Sequence, residues 1–288
     1  MILITGATGQ LGSAVIENLL KTVRPQNIAA LARNADKAKQ WVDKGVVVRI
    51  GDYADKKSLD RAFEGVEKVL LITSNGENAL SDHRNVIEAA QKAHVRHICY
   101  TSGARNDKVE ESRLGPLWDS YVTTENDIKE SGIPFTILRC GLYTETIPFF
   151  LGEQVLDSGI LFPAGEGKAA FATRGEMGEA IANIMAGEGH ENRSYLITGE
   201  KTYSFHQIAA ILSELSGKSI GYVSPQKNEY KQQLKNSGVP KTDIEFAMLF
   251  AAIIENNEYD ICDDKLAKIL GRKPISLRSY LHQVYIES

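Results

Sequence analysis

The 288-residue chain is poor in cysteine: Cys99, Cys140 and Cys262 are its only three, and they lie far apart. An odd, dispersed set makes no disulfide framework, and no two stand at metal-ligand spacing, so a reducing compartment and no bound metal are expected. No apolar run approaches the ~20 residues of a membrane helix. The opening Met1-Ile2-Leu3-Ile4-Thr5-Gly6 lacks the basic-then-apolar order of a secretory leader. Neither sign of charge dominates: 33 Lys and Arg stand against 37 Asp and Glu, a net charge of −4. Without a basic cluster, an electrostatic grip on nucleic acid or anionic lipid is not expected. The expectation is a cytoplasmic protein with no nucleic-acid or membrane partner.

What the chain does have is rhythm. Ile2–Ile4, Ile28–Ala32, Val46–Ile50, Val69–Ile72, His97–Tyr100 and Phe135–Leu138 are short, continuous apolar runs, as in strands buried on both faces of a parallel sheet. Amphipathic stretches separate them. One carries Leu11, Val15, Ile16 and Leu19, another Val86, Ile87 and Ala90, and a short one runs from about Ser58 to a stop at Gly65. Strands alternating with helices predict βαβ units and a doubly wound α/β fold of Rossmann type. After about Arg139 the rhythm changes. Glycines punctuate the chain, and two capping-box patterns, Thr173…Glu176 and Ser204…Gln207, open helices around a strand candidate at Tyr195–Thr198. No Pro-, Gly- or Ser-rich linker intervenes. Residues 1–145 are therefore expected to form the nucleotide-binding domain, and residues 146–288 a smaller C-terminal α/β cap packed on it.

The segment Gly6-Ala7-Thr8-Gly9-Gln10-Leu11-Gly12 lies between the first strand and the first helix. One glycine permits the tight turn, a second removes the Cβ that would block a pyrophosphate, and a third lets helix and sheet approach. The helix that follows aims its free N–H groups and positive dipole end at the phosphates. At the end of the second strand, where NAD-preferring sites place an acid for the ribose 2′-hydroxyl, the chain has Arg33-Asn34, with Lys37 a turn later. A guanidinium suits a 2′-phosphate, so NADP(H) is the expected cofactor, although Asp36 lies close by. Asp52, after the third strand, is placed for the adenine edge.

A Rossmann chain invites a search for a Tyr-x-x-x-Lys pair, in which the lysine tunes a tyrosine acid. Ser102 follows the fifth strand where a catalytic serine would lie, and Tyr121 sits in the next helix, but four residues on stands Glu125. Tyr53…Lys57 matches only formally, beside the expected adenine site. Catalytic residues are thus unassigned. An isolated ketone needs a proton donor at its developing alkoxide. A quinone or cationic dye spreads the incoming charge, so holding the cofactor beside a flat acceptor suffices. His94 and His97 straddle a helix end and a strand start and do not read as a metal pair. Trp41 and Trp118 read as packing residues, and Glu176 and Glu179 as a cap and a helix face. Phe149-Phe150 reads equally as an acceptor-pocket wall and as core.

The motifs Ile4-Thr5-Gly6-Ala7-Thr8-Gly9-Gln10-Leu11-Gly12, Val66–Ile72, His83-Arg84-Asn85-Val86-Ile87, Tyr100-Thr101-Ser102, Leu138-Arg139 and Ala172-Thr173-Arg174 resemble the NmrA-like branch of the atypical short-chain dehydrogenases, over essentially the whole length. The resemblance is strongest to bacterial members that reduce quinones or triphenylmethane dyes with NADPH. It implies cofactor contacts from the Gly6, Ala7, Thr8, Gly9, Gln10, Leu11 loop and from Arg33. It also implies them from Thr73, Ser74 and Asn75, from Tyr143, Thr144, Glu145, Thr146, Ile147 and Pro148, and from Arg174. Cys140 departs from the asparagine of the pattern. The implied partner is a small planar acceptor such as a quinone, and a homodimer is the assembly considered. Because some relatives bind NADP(H) only to regulate a partner, a non-catalytic sensor is the competing reading.

Overall fold

In the computed structural model, which describes residues 1–74, 76–106, 109 and 111–287, the chain builds one large sheet and a smaller second layer system. The strands of its first half are β1 (Ile2–Ile4), β2 (Ile28–Ala32), β3 (Val47–Ile50), β4 (Lys68–Ile72), β5 (His97–Gly103) and β6 (Phe135–Cys140). Between them run α1 (Gln10–Leu19), α2 (Lys39–Asp43), α3 (Lys56–Ala62), α4 (Ala79–Lys92) and α5 (Pro116–Glu130). The second half adds β7 (Leu142–Tyr143), α6 (Ile147–Leu151), α7 (Val155–Ser158), β8 (Ile160–Leu161), β9 (Lys168–Ala172), α8 (Arg174–Ala186) and β10 (Arg193–Ile197). It closes with β11 (Thr202–Ser204), α9 (Phe205–Ser216), β12 (Tyr222–Val223), α10 (Lys227–Asn236), α11 (Lys241–Glu255), α12 (Lys265–Leu270) and α13 (Leu277–Tyr285).

Seven strands join in the order β10-β6-β5-β4-β1-β2-β3, every neighbouring pair parallel. The reversal between β1 and β4 is the switch point at which such sheets open a crevice. The expected doubly wound Rossmann sheet is present. Strand β5 runs three residues past the expected end, because Thr101, Ser102 and Gly103 pair with Leu138, Arg139 and Cys140 of a lengthened β6. Side chains on one face pack with α1, α2 and α8 around Val15, Ile16, Trp41 and Ile181. The other face packs with α3, α4 and α5 around Leu59, Phe63, Val86 and Ile128.

Residues 146–288, expected as a cap, divide between the two layers. Helix α8 and strand β10 return to the large sheet, where Arg193–Ile197 pairs with Thr136–Cys140. The remainder forms a separate core around Phe150, Phe162, Phe205 and Ile254, with the small sheets β11-β9-β7 and β12-β8. Ser204 and Gln207 form a complete capping box, whereas at Thr173 only half of one forms: Thr173 Oγ1 accepts from the Glu176 N–H at 3.2 Å, and the Glu176 carboxylate takes Arg272 and the Ile275 N–H. Among the described residues no helix is long and apolar enough to cross a membrane.

Candidate functional site

The glycine loop is held in shape from below and left open above. Gly6 takes φ +58°, and a Cβ on Gly12 would sit 2.3 Å from the Gly6 carbonyl oxygen, so both need glycine. Trp41, fully buried, donates its indole N–H to the Ala7 carbonyl at 3.0 Å, so this packing residue also fixes the loop. Gly6, Thr8, Gly9 and Gln10 stay exposed. Gly9 caps α1 with no side chain bonding the first-turn N–H groups, and that turn carries no acid. Free donors at a helix start without a competing carboxylate are what an anionic phosphate requires. Leu11 turns inward into the core, so only its backbone is available.

Beside the loop, a cavity of about 390 Å³ is lined by Gly6, Thr8, Arg33, Asp52, Tyr53, Ile72, Thr73 and Ser74, among others. Arg33 is exposed and has no ion-pair partner among the described residues. Asp82, which the sequence reading missed, lies in the same cavity, where burial and the nearby Asp52 carboxylate raise its pKa. Its signal was its place in the first turn of α4. Tyr53 commits its hydroxyl to the Ile72 carbonyl at 3.1 Å, and burial raises its pKa, so the formal Tyr53…Lys57 match holds no free acid.

The chain after β4 is pinned on several sides. The Thr73 N–H donates to Thr101 Oγ1 at 2.9 Å, and the Ser74 N–H donates to His83 Nε2 at 2.9 Å. His83 is buried, and burial lowers its pKa to about 4, so the ring stays neutral and can accept. Asn75 lies outside the described residues.

A second cavity, of about 460 Å³, shares Ile72 and Thr73 with the first. Its floor is the carboxyl edge of β5 and β6, with Ser102, Gly103 and Cys140; its far wall is Phe246, Leu249, Phe250 and Ile253 of α11. Phe246 and Phe250, one helical turn apart, have ring centroids 4.3 Å apart. Phe149 and Phe150 do not line this cavity. They stand behind it, Phe149 edge-on to Phe246 and Phe150 against Phe250 in the core. The stripe Phe246, Leu249, Phe250, Ile253 was legible as one face of a helix, but not as a cavity wall.

Of the stretch after β6, Tyr143 and Thr146 line the second cavity, as does Arg174. Arg174 lies 4.1 Å over the Tyr143 ring, its backbone N–H donates to Glu145 Oε1 at 2.8 Å, and its guanidinium pairs with Glu145 Oε2 at 3.5 Å. Glu145 thus holds Arg174 in place. Thr144 and Ile147 are buried, Ile147 within the second core, and Pro148 borders a different surface cleft. Their side chains do not line this cavity.

Glu125 has a different task from a lysine at its place. Its carboxylate, 6% exposed, takes two hydrogen bonds from Arg139, at 3.1 and 2.8 Å, and one from the Ser102 hydroxyl at 2.7 Å, with Lys129 3.7 Å away. Burial alone would raise its pKa, but the hydrogen bonds from Arg139 and Ser102 hold it below the ordinary value. Tyr121 packs its ring where a Gly103 Cβ would fall, 2.7 Å from Cε2, and burial raises its pKa well above 10. Cys140 is buried, with its thiol pushed up to about 12, and is no nucleophile at neutral pH. Among the described residues no three His, Cys, Asp or Glu side chains gather as metal ligands.

A parallel sheet in this order, with a glycine loop at its first strand and a groove across its switch point, defines a protein of the Rossmann class. The chain belongs to the NmrA-like family, whose profile matches residues 1–281. It is 38% identical over 290 residues to quinone oxidoreductase 2 of Escherichia coli (strain K12), spanning 99% of each chain. Two solved structures are equally similar in fold. Citrobacter sp. triphenylmethane reductase complexed with NADP(H) superposes with a TM-score of 0.89 at 38% identity, over 99% of this chain and 100% of that one. The NADPH-dependent quinone oxidoreductase of Escherichia coli, complexed with NADPH, gives 0.90 at 35% identity, with the same coverage.

Proposed function

We propose that the protein is an NADPH-dependent reductase that transfers hydride to quinones or similar planar conjugated acceptors. The observation that carries this reading is the meeting of two unlike cavities at Ile72 and Thr73, one cationic at Arg33 and the other walled by aromatic rings. The names of the similar proteins support it.

In this reading the α1 N-terminus and the Gly6–Gly12 loop receive the pyrophosphate, and Arg33 the 2′-phosphate. Asp52 and Asp82 accept from the adenosine, and Thr73 and Ser74 carry the cofactor across the sheet edge. Bound NADPH supplies a hydride to whatever lies against its nicotinamide face. Phe246 and Phe250 offer a flat acceptor a stacking surface and keep water from one side of it. Among the described residues no lysine lines either cavity to pair with a tyrosine acid. Tyr121 stays a neutral phenol, and Glu125 is engaged by Arg139 and Ser102. Acceptors that delocalise the incoming charge suit such a site, because their products take a proton from water.

Steady-state assays with NADPH and a panel of soluble quinones test the proposal. Turnover with planar acceptors and none with simple ketones is expected; no NADPH oxidation above background overturns it. Glu125 at the lysine position also favours a second reading, a non-catalytic NADP(H) sensor. That reading requires tight dinucleotide binding with no hydride passed to any acceptor.

A further inference from the structure

A hydroxyl group has one proton to give, and Ser102 has committed it. Its Oγ donates to Glu125 Oε1 at 2.7 Å, a charge-assisted bond to a carboxylate that Arg139 grips at two points. An ionised carboxylate only accepts, so the direction of this bond is fixed. Turning the Ser102 proton elsewhere would strip a donor from a nearly buried anion. Ser102 nevertheless lines the second cavity, beside Thr101 and Cys140 and close to the Ile72 and Thr73 boundary. Toward a ligand it therefore presents lone pairs and no proton.

Thr101 Oγ1 already accepts the Thr73 N–H, and the Cys140 thiol lies 3.6 Å from the Leu138 carbonyl. A carbonyl oxygen, such as that of a quinone, would meet lone pairs at Ser102 and be repelled. The acceptor's oxygens fit instead at the phenols of Tyr121, Tyr143 and Tyr259, whose pKa values burial raises, so they remain neutral donors. The group that fits Ser102 is a donor, and the ring end of a nicotinamide cofactor carries one in its carboxamide N–H.

We propose that Ser102 accepts a hydrogen bond from the nicotinamide carboxamide, with Glu125 and Arg139 acting through it as positioning residues. The proposal rests on the cofactor reading above but not on the identity of the acceptor. Such a bond fixes which way the ring lies in the groove, and thus which face meets the aromatic wall.

The test is a binding titration without acceptor, comparing NADP⁺ with its 3-acetylpyridine analogue, in which a methyl replaces the carboxamide NH₂. The wild-type protein is expected to bind the analogue roughly threefold to tenfold more weakly, the worth of one neutral hydrogen bond. In Ser102→Ala that preference should collapse, with NADP⁺ falling to about the analogue's affinity. Ser102→Thr, which keeps the hydroxyl, should retain the preference. Equal wild-type affinity for both ligands overturns the proposal without any variant. So does a Ser102→Ala protein that keeps the wild-type preference, which would assign the donor to another group, such as a ribose hydroxyl. Failure of NADP⁺ to bind at all overturns the cofactor reading as well, and so is told apart from failure of this inference alone.

Discussion

The imidazole of His83 accepts the backbone N–H of Ser74 across 2.9 Å, and its other nitrogen faces the Thr124 hydroxyl at 2.9 Å. A single buried ring thus ties the chain after β4 to α5. Because Nε2 accepts, the proton sits on Nδ1 and is donated to Thr124. The bond to Ser74 exists only while the ring is neutral, and this makes it sensitive to acid.

Burial lowers the His83 pKa from 6.5 to about 4. Between those values the unfolded chain binds the proton and the folded chain does not, so stability rises with pH across that window. This contribution is complete above about pH 6.5 and lost as pH falls toward 4, amounting to about 3 kcal/mol. Urea midpoints measured from pH 7 to pH 4 should fall accordingly. In His83→Gln, which can still accept the Ser74 N–H but does not titrate, the same series should be markedly flatter. An unchanged slope would remove His83 as the cause.

Arg33→Ala should weaken NADPH by roughly tenfold to a hundredfold, the range for hydrogen bonds to a charged group, while NADH changes little. Dissociation constants for both nucleotides in both proteins decide it. Unchanged affinities in the variant would make Arg33 only a surface charge, and equal losses for both nucleotides would exclude it from the 2′-phosphate.

Gly12→Ala places a Cβ 2.3 Å from the Gly6 carbonyl oxygen, a backbone atom that cannot swing aside. The loop must open or α1 must shift, at a cost of about 1–3 kcal/mol. Thermal unfolding should show the loss, and dinucleotide affinity should fall with it. A variant with wild-type values on both counts would contradict the close approach.

Glu125→Ala leaves the Arg139 guanidinium and the Ser102 hydroxyl without their shared acceptor. Because Arg139 is partly exposed, the loss should fall below the full buried-pair range, at about 2 kcal/mol. The Glu125 carboxyl is held below its ordinary pKa of 4.5, so the wild-type contribution is present above that value and is lost as pH falls beneath it. Denaturation of the two proteins should therefore converge in acid.

Phe250→Ala removes half of the tilted aromatic pair on α11. We expect KM for a quinone acceptor to rise by roughly threefold to tenfold, the worth of an aromatic contact, while KM for NADPH holds. A rise in KM for NADPH alone would place the acceptor elsewhere.

The sequence by itself determined the β1-loop-α1 unit, the strands of the first half (buried apart from the edge strand β3, whose Ile50 is half-exposed) and Arg33 at the end of β2. Each is a local statement: a period of apolar residues, a glycine where a Cβ cannot fit, a cation where an acid would otherwise stand. Such signals lie within a few residues of one another and survive without knowledge of the fold. Only the tertiary structure decided that β10 returns to the large sheet beside β6, because pairing Arg193–Ile197 with residues 136–140 joins segments far apart in the chain. The same holds for the aromatic wall. Phe149-Phe150 and the stripe on α11 are both apolar in sequence, and packing alone put the second at the cavity and the first behind it. Glu125 follows this rule too. The sequence showed a carboxylate where a lysine was sought, but its meaning came from the pairing of β5 with β6, which sets Arg139 and Ser102 side by side to receive it.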